Sequence, residues 1–290
     1  MTHLDLPIPP LPAIVIEPLV RLALAEDFGR AGDITTDAVI PADARMVATM
    51  TAREGGVAAG YDAARLALKL VDDATQWTTL VEEGAPFAAG RQLVRLTGAA
   101  RSILMAERVM LNFIGPLSGV ATLTARYVEA VKETPARIVC TRKTTPGFRA
   151  LEKRAVRLGG GVNHRLGLDD AMLIKDNHIA AAGGVANAMR RARAAVGHLR
   201  AIEIEVDTLD QLTEALAYRP DAVLLDNMTL EMLRQAVERV AGQCKTEASG
   251  GVRLETVKAI AETGVDFISV GALTHSAVNL DVGLDYGSAA

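Results

Sequence analysis

Along the C-terminal half of the chain, short apolar runs end in residues able to bind anions. Arg142 and Lys143 follow ARIVCT, Lys175 follows DAMLI, and His164 and Arg165 lie between these runs, just past Gly159-Gly160-Gly161. Glu205 and Asp226 end the next two runs, and Ser249-Gly250-Gly251 and Gly271-Ala272 end the last two. Clustered Arg and Lys suit a substrate with several carboxylate or phosphate charges, because they form charge-assisted hydrogen bonds. The small-residue turns offer successive backbone N–H groups as a phosphate cradle. Three readings of Glu205 and Asp226 stand side by side: contacts to a divalent cation or sugar hydroxyls, neutralising partners for the cations, or solvated strand ends. The cations have plainer alternatives as well. Arg142 and Lys143 could cap a strand with solvated charge, Lys175 could pair with Asp176, and His164 could be an ordinary loop histidine.

These residues need a scaffold that brings distant segments to one mouth. After Pro135 six apolar runs recur: ARIVCTRKT, DAMLIKDNH, AIEIEVD, AVLLDN, KTEASGG and FISVGA. Several of the intervening stretches have helical periodicity, among them AAGGVANAMRRARAAV, LDQLTEALAY, LEMLRQAVERV and RLETVKAIAETG. The steps from Arg142 to Lys175 (33 residues), to Glu205 (30), to Asp226 (21), to Ser249 (23) and to Gly271 (22) fit repeated strand–helix units. Six or seven such units predict an incomplete (β/α) barrel, with a doubly wound sheet as the alternative. In a barrel the polar residues stand at the carboxyl ends of the strands, where such folds build their active sites. The longest step carries a loop over 144–163. Residues 45–98 mix alternating runs, turns and a helix over 63–70, an α+β texture. A helix is expected around Leu19–Leu24, and the stretch 99–132 reads as two helices broken near Gly115-Pro116.

Composition excludes other classes. The formal net charge is −4 and aromatic residues make up 3 %, so there is no basic excess to drive nucleic-acid binding and stacking platforms are scarce. Two cysteines, Cys140 and Cys244, without a CxxC, fit a reduced, cytoplasmic protein. The longest uncharged run, 109–125, is short and polar for a membrane span, and the proline-studded N-terminus lacks the basic head of a secretory signal. The remaining histidines show no ligand spacing, Ser249 has no identifiable triad partners, and GxGxxG is absent.

The motifs TRKTTPGFR (141–149), LGGGVNHRLGLDDAMLIKDNHI (158–179), EIEVD (203–207), LLDN (224–227), EASGG (247–251) and ISVGALTHS (268–276) together resemble quinolinate phosphoribosyltransferases. AERVMLNFIGPLSG (106–119) and EDFGRAGDITT (26–36) extend the likeness toward the N-terminus. The resemblance implies an N-terminal α/β sandwich domain over 1–118, an incomplete α/β barrel over 119–276, and a tail, 277–290, packed back on the first domain. It implies a homodimer or higher oligomer with shared sites. The implied reaction joins quinolinate to 5-phosphoribosyl-1-pyrophosphate, giving nicotinate mononucleotide, CO₂ and pyrophosphate. Position by position, Thr141, Arg142, His164, Arg165 and Lys175 resemble quinolinate binders, and Arg108 resembles an arginine supplied by the other subunit. Lys143 resembles a pyrophosphate-side lysine, and Glu205 and Asp226 resemble the ribose and Mg²⁺ carboxylates. Ser249, Gly250, Gly251, Gly271 and Ala272 resemble the 5-phosphate site. A relative acting on another substrate, such as the molybdenum-utilisation homologue, and a non-catalytic anion-binding barrel are the competing expectations.

Overall fold

A computed structural model describes residues 8–287; residues 1–7 and 288–290, the ends of the expected first domain and of its tail, lie outside the described residues. The chain forms two compact units. One comprises the chain up to Ala125, Thr144–Gly160 and the chain from Thr274 on; the other comprises Arg126–Lys143 and Gly161–Leu273.

The first unit begins with α1 (Ala13–Phe28) and α2 (Ile34–Val39). Ile16, Val20 and Leu24 recur every four residues on the buried stripe of α1, whereas Leu22, off that stripe, is exposed. Then come β1 (Arg45–Ala52), β2 (Gly56–Val57), α3 (Tyr61–Val71), β3 (Gln76–Thr79), β4 (Pro86–Phe87), β5 (Gln92–Ala99) and α4 (Ala100–Val131), whose last turns, from Arg126, belong to the second unit. The chain returns at its end as β12 (Val282–Gly287), and the antiparallel sheet order is β12-β1-β5-β3. Met50, Leu93, Leu96, Leu68 and Ile103 are buried in this unit.

The break expected at Gly115-Pro116 does not occur: α4 is one helix of 32 residues with Pro116 inside it. A proline within a helix removes one N–H and leaves a carbonyl one turn back without its usual donor. Met110, Ile114 and Leu117 around it are buried, and helices are held mainly by such packing. By length and composition α4 could cross a bilayer, but 67 % of its most apolar stretch is buried inside the protein, as a core helix requires. Within Thr144–Gly160 the expected loop contains a further helix, α5 (Arg149–Leu158), which buries Leu151, Ala155 and Val156. Its Glu152 accepts from the Thr145 amide. Gly159 ends α5 where a Cβ would lie 2.3 Å from the Ala121 carbonyl oxygen, so only glycine permits that approach.

The second unit carries all six predicted strands: β6 (Arg137–Val139), β7 (Met172–Ile174), β8 (Ile202–Val206), β9 (Ala222–Asp226), β10 (Lys245–Ser249) and β11 (Phe267–Ser269). They pair in parallel in the order β7-β8-β9-β10-β11-β6. Strands β7 to β11 are laid side by side in chain order, with β6 next to β11. That is barrel winding, open between β6 and β7, and not the reversal of a doubly wound sheet. A lone parallel bridge between Val139 and Val162 begins to fill the opening. The connecting helices are α6 (Asp176–Ala182), α7 (Val185–Ala195), α8 (Leu209–Leu216), α9 (Leu230–Val240) and α10 (Val257–Ala261), with α11 (Ala272–His275) after β11. Local caps start them just past the strand ends. The Thr208 hydroxyl accepts from the Gln211 amide at α8, and the Thr229 hydroxyl accepts from the Met232 amide at α9.

Candidate active site

Strand geometry assembles the site. Side chains two residues apart share a face, and the pairs Leu173/Lys175, Leu224/Asp226 and Glu247/Ser249 line one cavity of about 390 Å³ with Glu205 and Ser269. Thr141, Arg142, Lys143, His164 and Arg165 complete its wall. The volume suits a small organic ligand.

The cations stand on the side of β6 and β7. Past β6 the backbone turns, and the Lys143 amide donates to the Thr141 hydroxyl at 3.0 Å, so 142 and 143 are released from the strict alternation of a strand. The Arg165 guanidinium donates to the Ala171 carbonyl at 3.1 Å. Burial, and secondarily the Arg142 guanidinium, holds Arg165 below the usual arginine range. Two guanidinium groups are thus brought into mutual repulsion in a pocket, an arrangement relieved by an anion. Lys175 donates to Glu205 at 2.6 Å rather than to its sequence neighbour Asp176. Glu205 thus neutralises Lys175 across the adjoining strands. His178 accepts the Lys175 amide through Nδ1 at 2.9 Å and so ties the start of α6 to the end of β7.

The opposite wall is acidic and small. Asp226 accepts from the Asn227 amide side chain at 2.6 Å, and the Asn227 backbone N–H donates to the Ser249 carbonyl at 2.9 Å. Gly250 follows with φ +94°, and a Cβ there would sit 2.1 Å from Asn227 Oδ1, so glycine is obligatory on both counts. Ser249 reaches the cavity; Gly250, Gly251, Gly271 and Ala272 follow the ends of β10 and β11 and are not among its lining residues. Arg108 belongs to the first unit. There it lines a separate cavity of about 420 Å³ with Asn112, Pro116, Asn279 and Asp281.

Two acidic residues of the site were not predicted from the sequence. Glu203 and Glu247 are buried, and with His164 their polar atoms fall within 4.8 Å of one another. His164 Nε2 is 2.9 Å from Glu203 and 3.7 Å from Glu247. Burial first, and the neighbouring Glu203 charge next, push the Glu247 carboxyl up to about 7, against the opposing effect of His164. The available signal was the period of two: Glu203 stands two residues before Glu205, and Glu247 two before Ser249.

A further cavity, of about 650 Å³ beside Tyr61, Trp77 and Arg154, belongs to the first unit. There Arg154 pairs with Asp62 at 3.2 Å and with Glu83 at 2.7 Å.

An open parallel barrel with Arg, Lys and His on one side of its mouth, carboxylates and a glycine turn on the other, defines an α/β-barrel enzyme for multiply anionic substrates. More narrowly, the chain belongs to the quinolinate phosphoribosyl transferase family: the family's N-terminal domain matches residues 33–118 and its C-terminal domain residues 120–285. It is 49 % identical over 271 residues to the nicotinate-nucleotide pyrophosphorylase [carboxylating] of Mycobacterium leprae, covering 92 % of this chain and 95 % of the relative. The chloroplastic protein of that name from Oryza sativa is 42 % identical over 294 residues, covering 95 % and 79 %. Among solved structures, the nicotinate-nucleotide pyrophosphorylase from Francisella tularensis aligns with a TM-score of 0.92 at 41 % identity, covering 97 % of this chain and 99 % of that one.

Proposed function

We propose that this pocket joins quinolinate to 5-phosphoribosyl-1-pyrophosphate, releasing pyrophosphate and CO₂ and leaving nicotinate mononucleotide, a pentosyl transfer in pyridine nucleotide and NAD biosynthesis. The observation that carries the reading is the crowding of Arg142 against a partly desolvated Arg165, with Lys175 on the same wall. Like charges brought close in a partly desolvated pocket repel, and a dicarboxylate offsets that repulsion.

Arg142, Arg165 and Lys175 hold the two quinolinate carboxylates, with Thr141 and His164 beside them and Arg108 of the partner subunit closing the site in a homodimer. Lys143 faces the pyrophosphate. Ser249, Gly250, Gly251, Gly271 and Ala272 cradle the 5-phosphate. The bond from the sugar's anomeric carbon to pyrophosphate breaks, and the positive charge that builds there is stabilised by Glu205 and Asp226. The pyridine nitrogen attacks that carbon and becomes cationic. The bond to the 2-carboxylate then breaks, its electron pair passes into the cationic ring, and the ring carbon takes a proton from solvent. Alignment of the two substrates supplies most of the acceleration, without a covalent enzyme intermediate.

Glu205 and Asp226 fit a magnesium ion carried with the sugar pyrophosphate. Both are oxygen donors on the cavity wall, supplied by adjacent strands, and Mg²⁺ characteristically takes one or two carboxylates together with substrate phosphates. When bound, it neutralises charge on the departing pyrophosphate. A cytoplasmic location agrees with a chain of only two cysteines, Cys140 and Cys244, without a CxxC, as expected in a reducing compartment.

The test is to incubate purified protein with both substrates and Mg²⁺ and measure nicotinate mononucleotide and released CO₂. Product that requires both substrates is expected. Binding of either substrate without turnover would instead support a non-catalytic anion-binding barrel.

A further inference from the structure

Glu203 and Glu247 pose a question that the reaction above leaves unanswered. Burying a carboxylate on the inner face of a sheet is unfavourable unless it is hydrogen-bonded, and leucine would fill the same space. What Glu203 accomplishes is visible through His164. The Arg165 backbone N–H donates to His164 Nδ1 at 2.7 Å, so Nδ1 is the acceptor nitrogen. A neutral imidazole has one acceptor and one donor, so Nε2 carries the hydrogen, and it faces Glu203 at 2.9 Å. Both ring nitrogens are therefore engaged by the protein. Downstream, the Leu166 and Gly167 amides both donate to Asp170, and the Arg165 guanidinium donates to Ala171. The segment bearing Arg165 is thus braced, and His164 is the brace nearest its Cα.

We infer that Glu203 is a positioning residue for Arg165: by accepting the Nε2 hydrogen of His164 it selects the tautomer whose Nδ1 receives the Arg165 amide, and so fixes where the Arg165 guanidinium stands in the pocket. His164 then acts through Arg165 rather than on the substrate. Glu247 supports the arrangement. Its Oε1 is 3.7 Å from Nε2, outside hydrogen-bonding distance, and burial raises its carboxyl pKa, which disfavours a charge there. A second full negative charge beside the ring would favour the imidazolium, whose Nδ1 can no longer accept.

The inference rests on the reading that Arg165 binds quinolinate, and two measurements separate the two claims. The first needs no turnover: the full chain is labelled with ¹⁵N-histidine, and the His164 signals are assigned by their loss in His164→Gln. The neutral tautomer, protonated at Nε2 and bare at Nδ1, is expected at neutral pH; an imidazolium or an Nδ1–H tautomer overturns the inference. The second is kinetic. Glu203→Leu, which has no acceptor, is expected to raise the quinolinate KM by about ten- to a hundredfold, with the KM of the sugar substrate within about threefold of the parent. Glu203→Gln keeps an acceptor oxygen and is expected to recover most of that loss. Equal impairment of Gln and Leu, or an equal rise in both KM values, refutes the positioning role. Should Glu203→Leu fail to fold, the spectrum of the unsubstituted protein still decides. If that protein has the expected tautomer but turns over no quinolinate, it is the functional reading that fails.

Discussion

Replacing Arg154 tests how firmly α5 is tied into the first unit. Its side chain is 9 % exposed, between Asp62 at 15 % and Glu83 at 12 %. It also donates to the Pro9 carbonyl, while the carboxylates accept the Leu11 and Tyr61 amides. Arg154→Met keeps the length and removes the charge, leaving two desolvated carboxylates without their common partner. Breaking a buried ion pair from one side costs about 3–5 kcal/mol, a large part of a typical stability of about 5–15 kcal/mol. The cost depends on pH with a definite sign. Burial already holds the Glu83 carboxyl above its ordinary range, with Arg154 pulling it back down. Without Arg154 it rises further, so at pH 5 Glu83 is protonated more readily and part of the penalty disappears. Urea unfolding of both proteins at pH 5 and pH 8 measures this, and Arg154→Met/Glu83→Gln should recover at least about 1 kcal/mol at pH 8. A loss below about 1 kcal/mol at pH 8, or one that does not change with pH, would refute the reasoning.

Arg142→Ala should lower kcat/KM for quinolinate by about a hundredfold while leaving the melting temperature unchanged or slightly raised, because the repulsion on Arg165 is relieved. Unaltered quinolinate kinetics would remove Arg142 from the site. Arg108→Ala and Lys175→Ala should each be inactive alone. If the sites are shared in a homodimer as proposed, the mixed and exchanged variants should regain about a quarter of the parental activity, because half of a random dimer population would carry one intact site; no recovery despite exchange counts against sharing. Glu247→Gln bears on stability against pH. A carboxyl raised from 4.5 to about 7 contributes stability that is complete below 4.5 and lost as pH climbs through 7. The variant should therefore gain on the parent between pH 5 and pH 8 by up to about 3 kcal/mol. A flat difference across that range would show that Glu247 is not raised.

Much of the second unit was legible because its information is local. Six apolar runs became the six parallel strands, and steps of 21 to 33 residues placed their polar ends at one mouth, as repeated right-handed crossovers demand. Thr141, Arg142, Lys143, His164, Arg165, Lys175, Glu205, Asp226 and Ser249 do share one cavity. Local rules also misled. Pro116 predicts a helix break from the loss of one hydrogen bond, yet α4 continues, because burial of Met110, Ile114 and Leu117 outweighs that loss.

Residue types and intervals, by themselves, determined an α/β barrel with an anion-binding mouth. Which groups touch within that mouth was decided only in three dimensions. Lys175 chose Glu205, 30 residues away, over the adjacent Asp176, because neighbouring parallel strands bring position 205 to its ammonium while Asp176 starts a helix. Glu203 and Glu247 gained their importance from His164, at separations of 39 and 83 residues that carry no periodic signature. Hydrogen-bond partners and desolvation are properties of the assembled interior, where a carboxylate's neighbours set its charge, and chain spacing alone does not encode them.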